Sequence, residues 1–552
     1  MLDSCNNLEV VVYFTPRRYA FTPPPEADSV VVVGAGPVGL ALALGLARRG
    51  VRVTVLEAGD SVCAGSRAIC LSRHSLEVLE RLGVGERFAE LSLPWTSGRS
   101  YYRDTEVLSF DMPSGAGDAH PPMVNISQSV AEQVLVDAIE ATDGCEVRWR
   151  CRVVDCTRHD DHAVLEVETP EGPVRVRGDW VVAADGARST VREALGLRLD
   201  GTSYEGRYVI ADIHWPAALP TERRVWFDPP SNPGSTIVLH RQPDDIWRVD
   251  YQLQPGADPE VETDEQRVRE RIARHLDWLG DDRPWTLEWT SLYRAHALSL
   301  DSYRHGRVLF AGDAARLVPI FGVRGLNSGL EDADVLAWML AAVVDGEAGP
   351  ALLDVYATER RDAWCQNVAE AEKSTLFMTP GTRGYELTRD AVLALAGRRP
   401  ALRELVNPRQ SSATHSRTSP LTLPCDAPGL RPGDPVPDRV VRTSAGTSSL
   451  NSLRGRDFAL LGFGVATAEL GEAVSALAAR TGVGVRGLTT GAGGDHPAVS
   501  AFDDVGGALA AEFGAGPGEV FAIRPDGLLF GRLPDFSGAA DVADLIVTGG
   551  HR

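Results

Sequence analysis

The sequence predicts an α/β protein in which a buried parallel sheet is interrupted by an antiparallel one. Three observations carry this. Residues 29–33 are a continuous β-branched run and 51–56 a second apolar strand, with a helical segment, 38–49, between them. From 206 to 298 the texture changes to short alternating segments separated by Pro, Gly and Asp turns. Buried-strand character then returns at 308–310.

Taken in order, residues 1–28 are an N-terminal extension, with Pro23, Pro24 and Pro25 leading into the first strand. Residues 29–205 form the first part of the parallel-sheet domain. Strand, helix and strand within 29–56 make a βαβ unit. Residues 74–82 and 129–139 read as amphipathic helices, 146–154 and 163–168 as a hairpin, and 180–184 as another buried strand. Residues 206–298 are an inserted sheet domain, with strands at 225–227, 236–240 and 246–253. Residues 299–406 complete the first domain and add helices; Leu330, Ala333, Ala337, Leu340 and Val344 share one helical face. Residues 407–425, rich in Ser, Thr and Pro, are a linker. Residues 426–552 form a compact α/β domain, with strands at 458–461, 520–523 and 528–530 and a helix at 468–479.

A chain of 552 residues suits about three domains. Its 55 basic and 76 acidic side chains give a net charge of −21, which repels phosphate backbones and argues against a nucleic-acid partner. The eight cysteines include no C-x-x-C pair, so they read as free thiols of a reducing cytoplasm. There is no apolar run of about 18 residues to span a membrane and no secretory signal. A cytoplasmic protein without a membrane partner is expected.

Gly34-Ala35-Gly36-Pro37-Val38-Gly39 is a G-x-G-x-x-G turn between a buried strand and a helix. The first glycine makes the tight turn, the second lets backbone approach a pyrophosphate, and the third allows close helix–strand packing. Pro37 opens the helix, whose N-terminus faces the phosphates. Glu57, eighteen residues after Gly39, ends the second strand where a carboxylate accepts from a ribose hydroxyl. This is a Rossmann-like dinucleotide site. A second G-x-G-x-x-G at 482–487 runs from helix into strand, the reverse order, and reads as a helix stop. His159-Asp160-Asp161-His162 has metal-like spacing but sits between two strands and reads as a hairpin turn, so no metal is expected.

Two later segments place turns at the ends of buried strands, where open α/β sheets bind ligands. One is Asp185-Gly186-Ala187-Arg188-Ser189-Thr190-Val191-Arg192. The other is Gly312-Asp313-Ala314-Ala315, which continues to Gly325-Leu326-Asn327 at a helix start. Together with the first motif they resemble the flavoprotein aromatic hydroxylases of the para-hydroxybenzoate hydroxylase fold, over about residues 30–405.

That resemblance implies FAD in the persistent site and NADH or NADPH as transient reductant. It implies that Asp185, Gly186, Ser189 and Arg192 serve FAD and the pyridine nucleotide, that Asp313 contacts the FAD ribose, and that Gly322, Gly325, Leu326 and Asn327 lie against the flavin ring. Arg67 and Gln128 match two further FAD contacts. The inserted sheet roofs the substrate site, which makes His240, Arg241, Trp247 and Tyr251 candidate substrate contacts. Where the family often has histidine this chain has Arg316, either a catalytic charge favouring anionic flavin or phenolate, or a surface arginine. The C-terminal region resembles the thioredoxin-like domain of phenol hydroxylases and aromatic-polyketide hydroxylases, with Arg524-Pro525-Asp526-Gly527 matching its end. Its redox function does not carry over, because Cys425 is the only cysteine after Cys365. The domain reads as a packing or oligomerisation surface, which allows a homodimer.

The function implied is FAD- and NAD(P)H-dependent hydroxylation of a phenolic or polyketide aromatic substrate by O2, through a flavin hydroperoxide. Epoxidation and Baeyer–Villiger insertion are alternatives on the same fold; a flavin-binding assembly protein without oxygen chemistry is an alternative of another class. A flavin halogenase is disfavoured, since the sole lysine, Lys373, lies in the late helices.

Overall fold

Four successive valines, stiff at χ1, make β1 (Ala27–Val33) the centre of the first sheet. β1 runs parallel to β2 (Val53–Glu57) on one side and to Gly172–Ala183 on the other. Cys145–Trp149 extends the sheet beyond β2, and Val308–Phe310 extends it beyond Gly172–Ala183, both parallel. Between β1 and β2 lies the helix α1 (Pro37–Ala47), packed against the long helix Arg324–Val344. The computed structural model describes residues 14–549, apart from 66–67, 116, 255, 407–409, 411, 424, 426–427, 492 and 534–538.

The expected single strand at 146–154 is two. Arg150 takes φ +61°, a left-handed turn, and the chain changes partners there. Cys145–Trp149 pairs with β2, whereas Arg152–Arg158 pairs antiparallel with Ala163–Thr169. Sequence alternation continues across the break, so only the change of partner reveals it. The expected hairpin turn at 159–162 is present, with the two histidine rings stacked 4.4 Å apart.

The second sheet has eight strands. Its order is Arg316–Leu317, Thr286–Ser299, Asp200–His214, Ile246–Gln252, Thr236–Arg241, Arg223–Phe227, Ser97–Tyr102 and Thr105–Asp111. It therefore recruits chain from both sides of the expected insertion. Ser97–Tyr102 pairs parallel with Arg223–Phe227; the other pairings are antiparallel. Both faces are covered. Trp215, Trp247 and Trp226 pack on one face with Val268 and Ile272 of the helix Glu265–Trp278. Val225, Phe227 and Val238 pack on the other with Phe321 and Leu393.

The C-terminal sheet has the order Val499–Ala501, Val485–Thr489, Phe458–Gly462, Val520–Ile523, Leu529–Leu533. The first three strands are parallel and the last two antiparallel. Gly482, at φ +77°, ends the helix Thr467–Thr481, so the second glycine motif is a helix stop. This region docks on the helix Arg324–Val344. The Trp338 ring meets Phe458 edge-on and its Nε1 donates to Asp526 at 2.8 Å. Arg524, wholly buried, donates to both oxygens of Glu359 at 2.7 and 2.9 Å and to Asp526. Arg81 reaches Asp334 at 2.6 Å and Asn451 at 2.8 Å. Among the described residues no helix is long and apolar enough to cross a membrane.

Candidate functional site

Where β1 ends, Gly34 takes φ +102°, and a Cβ there would lie 2.7 Å from the Ala184 carbonyl oxygen. No other residue fits that turn. Gly36 caps α1, and a Cβ on it would meet nothing within 4 Å; it would project into open space above the helix N-terminus. Gly39 lies beneath, its ideal Cβ 2.1 Å from the Gly34 oxygen, which presses α1 onto the turn. Glu57 accepts from the Ala35 N–H at 2.8 Å and the Gly59 N–H at 2.7 Å, so its carboxylate is fixed over the turn.

Asp185 follows the strand Gly172–Ala183. Its Oδ2 accepts from the Val191 N–H at 3.2 Å, while its buried Oδ1 has no partner. Burial raises its carboxyl above the usual range, against the hydrogen bonds from Ser189 and the backbone at 190–191. Beside it, Gly312 donates its N–H to Asp332 at 3.0 Å, and Asp313 faces the same space. Val323, a β-branched residue, holds φ +55° immediately before the helix Arg324–Val344. Such strain is costly and concentrates at functional sites.

These pieces line one cavity of about 640 Å³. It runs from Gly34, Gly36 and Asp185, past Asp313, Gly325 and Leu326, to the inner face of the second sheet. Pro37, Glu57, Gln128, Gly186 and His240 also line it. Gly322 (φ +94°) turns the chain ahead of Val323 but does not line the cavity. Asn327 is buried and braces loops: its Oδ1 accepts from Ser72 N–H and Ser75 Oγ, and its Nδ2 donates to the Cys70 carbonyl. Arg67 lies outside the described residues.

Several expected contacts are turned away. Ser189 is fully buried and caps the short helix Thr190–Ala194. Arg192 donates to the Ala314 and Ala187 carbonyls, tying the two ligand loops together, so neither residue reaches the cavity. Arg316 is neither on the surface nor in the cavity wall. It is wholly buried and paired with Asp332 at 2.7 Å, and Arg360 binds the other oxygen of that carboxylate. Of the four roof candidates only His240 faces the cavity. Trp247 and Tyr251 belong to the opposite hydrophobic face, and Arg241 bonds Asp245 at the edge.

The inward residues of those strands are Val238 and His240, and Arg248 and Asp250, joined by Tyr208, Arg223 and Tyr293 from neighbouring strands. Strand alternation would have found them had its phase been known. Arg248 is held bidentate by Asp212 at 2.9 and 2.8 Å. His240 is kept neutral, first by burial and then by Arg223 and Arg248.

The donor set fits a dinucleotide. A helix N-terminus faces a gap that a Cβ on Gly36 would fill, an acid follows the second strand, and the buried Asp185 Oδ1 lacks a partner.

A sequence family described as FAD binding domain matches residues 27–371. The chain is 32% identical over 526 residues to the 6-methylpretetramide 4-monooxygenase of Streptomyces rimosus, covering 92% of this chain and 91% of that protein. It is 30% identical over 546 residues to a 3-(3-hydroxy-phenyl)propionate/3-hydroxycinnamic acid hydroxylase of Mycobacterium sp. (strain JLS), covering 94% and 93%. In fold it is similar to the solved structure of the flavin-dependent monooxygenase PieE, with a TM-score of 0.81 at 24% identity, covering 95% and 99%. The glycine turn and its cavity thus lie within a family match over most of the chain: the protein belongs to the FAD-binding-domain family and is a flavin-dependent monooxygenase.

Proposed function

We propose that the protein hydroxylates the aromatic ring of a phenolic or polyketide substrate, using NADH or NADPH and O2. The observation that carries this is the continuity of the cavity. A ring bound beneath Val238 and His240 lies in the same cavity as the turn at 323–326 and the phosphate-side turn at 34–36. Two sequence relatives act, by name, on 3-(3-hydroxy-phenyl)propionate/3-hydroxycinnamic acid and on 6-methylpretetramide.

Gly34, Gly36 and the first turn of α1 would hold the FAD pyrophosphate, with Glu57 on the adenosine ribose and Asp313, Gln128 and Gly186 along the chain of the cofactor. Gly325 and Leu326 would lie against its ring. Bound FAD supplies the electron acceptor for hydride and the means of activating O2. The protein's part is positioning and shielding. Ile69, Val238, Phe321 and Leu326 give the ring-side space apolar walls, which keep water from the reacting centre.

With FAD-loaded protein, a phenolic substrate should speed NAD(P)H oxidation and suppress H2O2 release, and 18O2 should place one labelled atom in the product. Substrate oxidised without label, with peroxide matching NAD(P)H consumed, would make the protein an oxidase and end the hydroxylase reading.

A further inference from the structure

The roof of the cavity holds a buried charge that makes no ion pair among the described residues. Arg223 opens the strand Arg223–Phe227 with its side chain on the cavity face, and is 5% exposed. Its Nε and Nη1 are buried and have no hydrogen-bond partner. The neighbouring carboxylate is already taken: Glu222 binds Arg99 at 3.0 Å and Arg224 at 2.7 Å. Asp250, in the same cavity wall, also has a shielded oxygen, Oδ1, without a partner, yet it makes no hydrogen bond with Arg223.

Two groups of opposite charge that face one cavity and do not bond each other are not a structural ion pair. The same sheet shows what such a pair looks like, in the bidentate Arg248–Asp212 bond. Desolvating a guanidinium without a counter-charge costs several kcal/mol, so a fold that needed no ligand here would be more stable with an apolar side chain.

We propose that Arg223 and Asp250 form a two-point subsite for an acidic oxygen of the aromatic substrate. Arg223 takes the anion, a carboxylate or an ionised phenol or enol; Asp250 takes a hydroxyl beside it. This rests on the cavity being the substrate site of a hydroxylase. Asp250 suits both roles of a hydrogen-bonding partner. Burial pushes its carboxyl up to about 7, against the pull of Arg248, so it accepts or donates near neutral pH. His240, neutral between two arginines, adds no competing charge. Tyr208 is engaged elsewhere, with Thr379 at 3.1 Å. An anion at Arg223 would hold one end of the substrate at the roof and leave its ring toward the turn at 323–326.

The test uses FAD-loaded protein and reads binding and stability, so it is answered whether or not oxygen transfer occurs. The probes are 3-(3-hydroxyphenyl)propionate, its methyl ester and its O-methyl ether, titrated by their perturbation of the flavin spectrum. The parent acid should bind at least tenfold more tightly than the ester if the carboxylate docks, or than the ether if the phenol does. That preference should vanish in Arg223→Met and return in part in Arg223→Lys. Without any probe, Arg223→Met should raise the Tm of the FAD-loaded protein, whereas Arg248→Met, which strands Asp212, should lower it. A preference that survives in Arg223→Met, equal binding of all three probes, or a fall in Tm on Arg223→Met would each overturn the subsite.

Discussion

Two settings of buried arginine contrast in this molecule. Around the helix Arg324–Val344, four arginines hold carboxylates: Arg81 with Asp334, Arg316 with Asp332, Arg360 with Glu331 and Asp332, and Arg524 with Glu359 and Asp526. In the cavity roof Arg248 holds Asp212, but Arg223 holds no carboxylate among the described residues. Burial alone would make Arg524 easier to deprotonate, but Asp526 and Glu359 outweigh it and raise its pKa; for Arg223 burial wins and lowers it. Burial of a charge therefore does not by itself mark a site. The paired group holds two parts of the fold together; the unpaired one is left for something that arrives later.

Arg524→Met leaves Glu359 and Asp526 buried together and should cost about 3–5 kcal/mol in urea unfolding, with the C-terminal region released first. A loss below about 1 kcal/mol would mean the two settings do not differ as described. On the ligand side, Gly36→Val should fold normally, since nothing stands within 4 Å of its Cβ, yet fill the space above α1. FAD affinity should fall at least ~100-fold, about 2.7 kcal/mol, measured by flavin retention on dialysis. Unchanged affinity would remove the glycine turn from the cofactor site.

A third cluster lies between the extremes. His120 Nε2 stands 3.3 Å from Glu80 and 3.9 Å from Asp438, joining the helix Arg73–Arg81 to the C-terminal region. Burial, with Glu77 and Glu80 adding to it, pushes Asp438 up to about 7. A carboxyl whose pKa is higher folded than unfolded keeps its proton in the folded state. Its contribution therefore falls as pH rises from about 4, the unfolded value, to about 7. His120 adds the same sign: burial lowers its pKa, but Glu80 and Asp438 raise it overall, so its stabilisation is lost as pH climbs. Asp438→Asn should stand about 1–2 kcal/mol above wild type at pH 8 and match it near pH 4. Parallel profiles for the two proteins would refute the assignment. The smallest effect belongs to Arg241→Ala, which loses a half-exposed pair with Asp245, a long bond to the Leu219 carbonyl and a place over the Trp247 ring, and should cost less than about 1 kcal/mol, with probe binding intact.

The glycine turn was legible because its chemistry is local. Gly34, Gly36 and Glu57 sit where strand ends and helix starts force them, and neighbouring sequence says where those are. The sheet roof was not legible in the same way. Both of its faces are buried, so Trp247 and Tyr251 read equally well as cavity or core, and nothing in the run 246–253 sets the phase. Arg223 was missed because a charge opening a strand reads as solvent-facing until a second layer is seen above it. Ser189 and Arg192 matched a motif, but the serine spends its hydroxyl on a helix cap and the arginine on two carbonyls. The surface alternative for Arg316 failed for want of one fact, the position of Asp332 one helix away. The hairpin at 97–111 was not placed in the second sheet because the strand it joins, Arg223–Phe227, lies far along the chain.

That pairing has a consequence for how the protein is made. Arg223 is in register with Gly98, so the strand carrying it is completed by segments synthesised much earlier. Residues 206–298, cut out and expressed or grafted alone, would expose the edge of Arg223–Phe227 as a template for other chains, and such a cassette should aggregate. In the intact protein, contacts this distant in sequence form late and slowly. When Arg223–Phe227 is synthesised, the strand that closes its edge has already been made, so the roof of the cavity depends on a segment held ready from earlier in the chain.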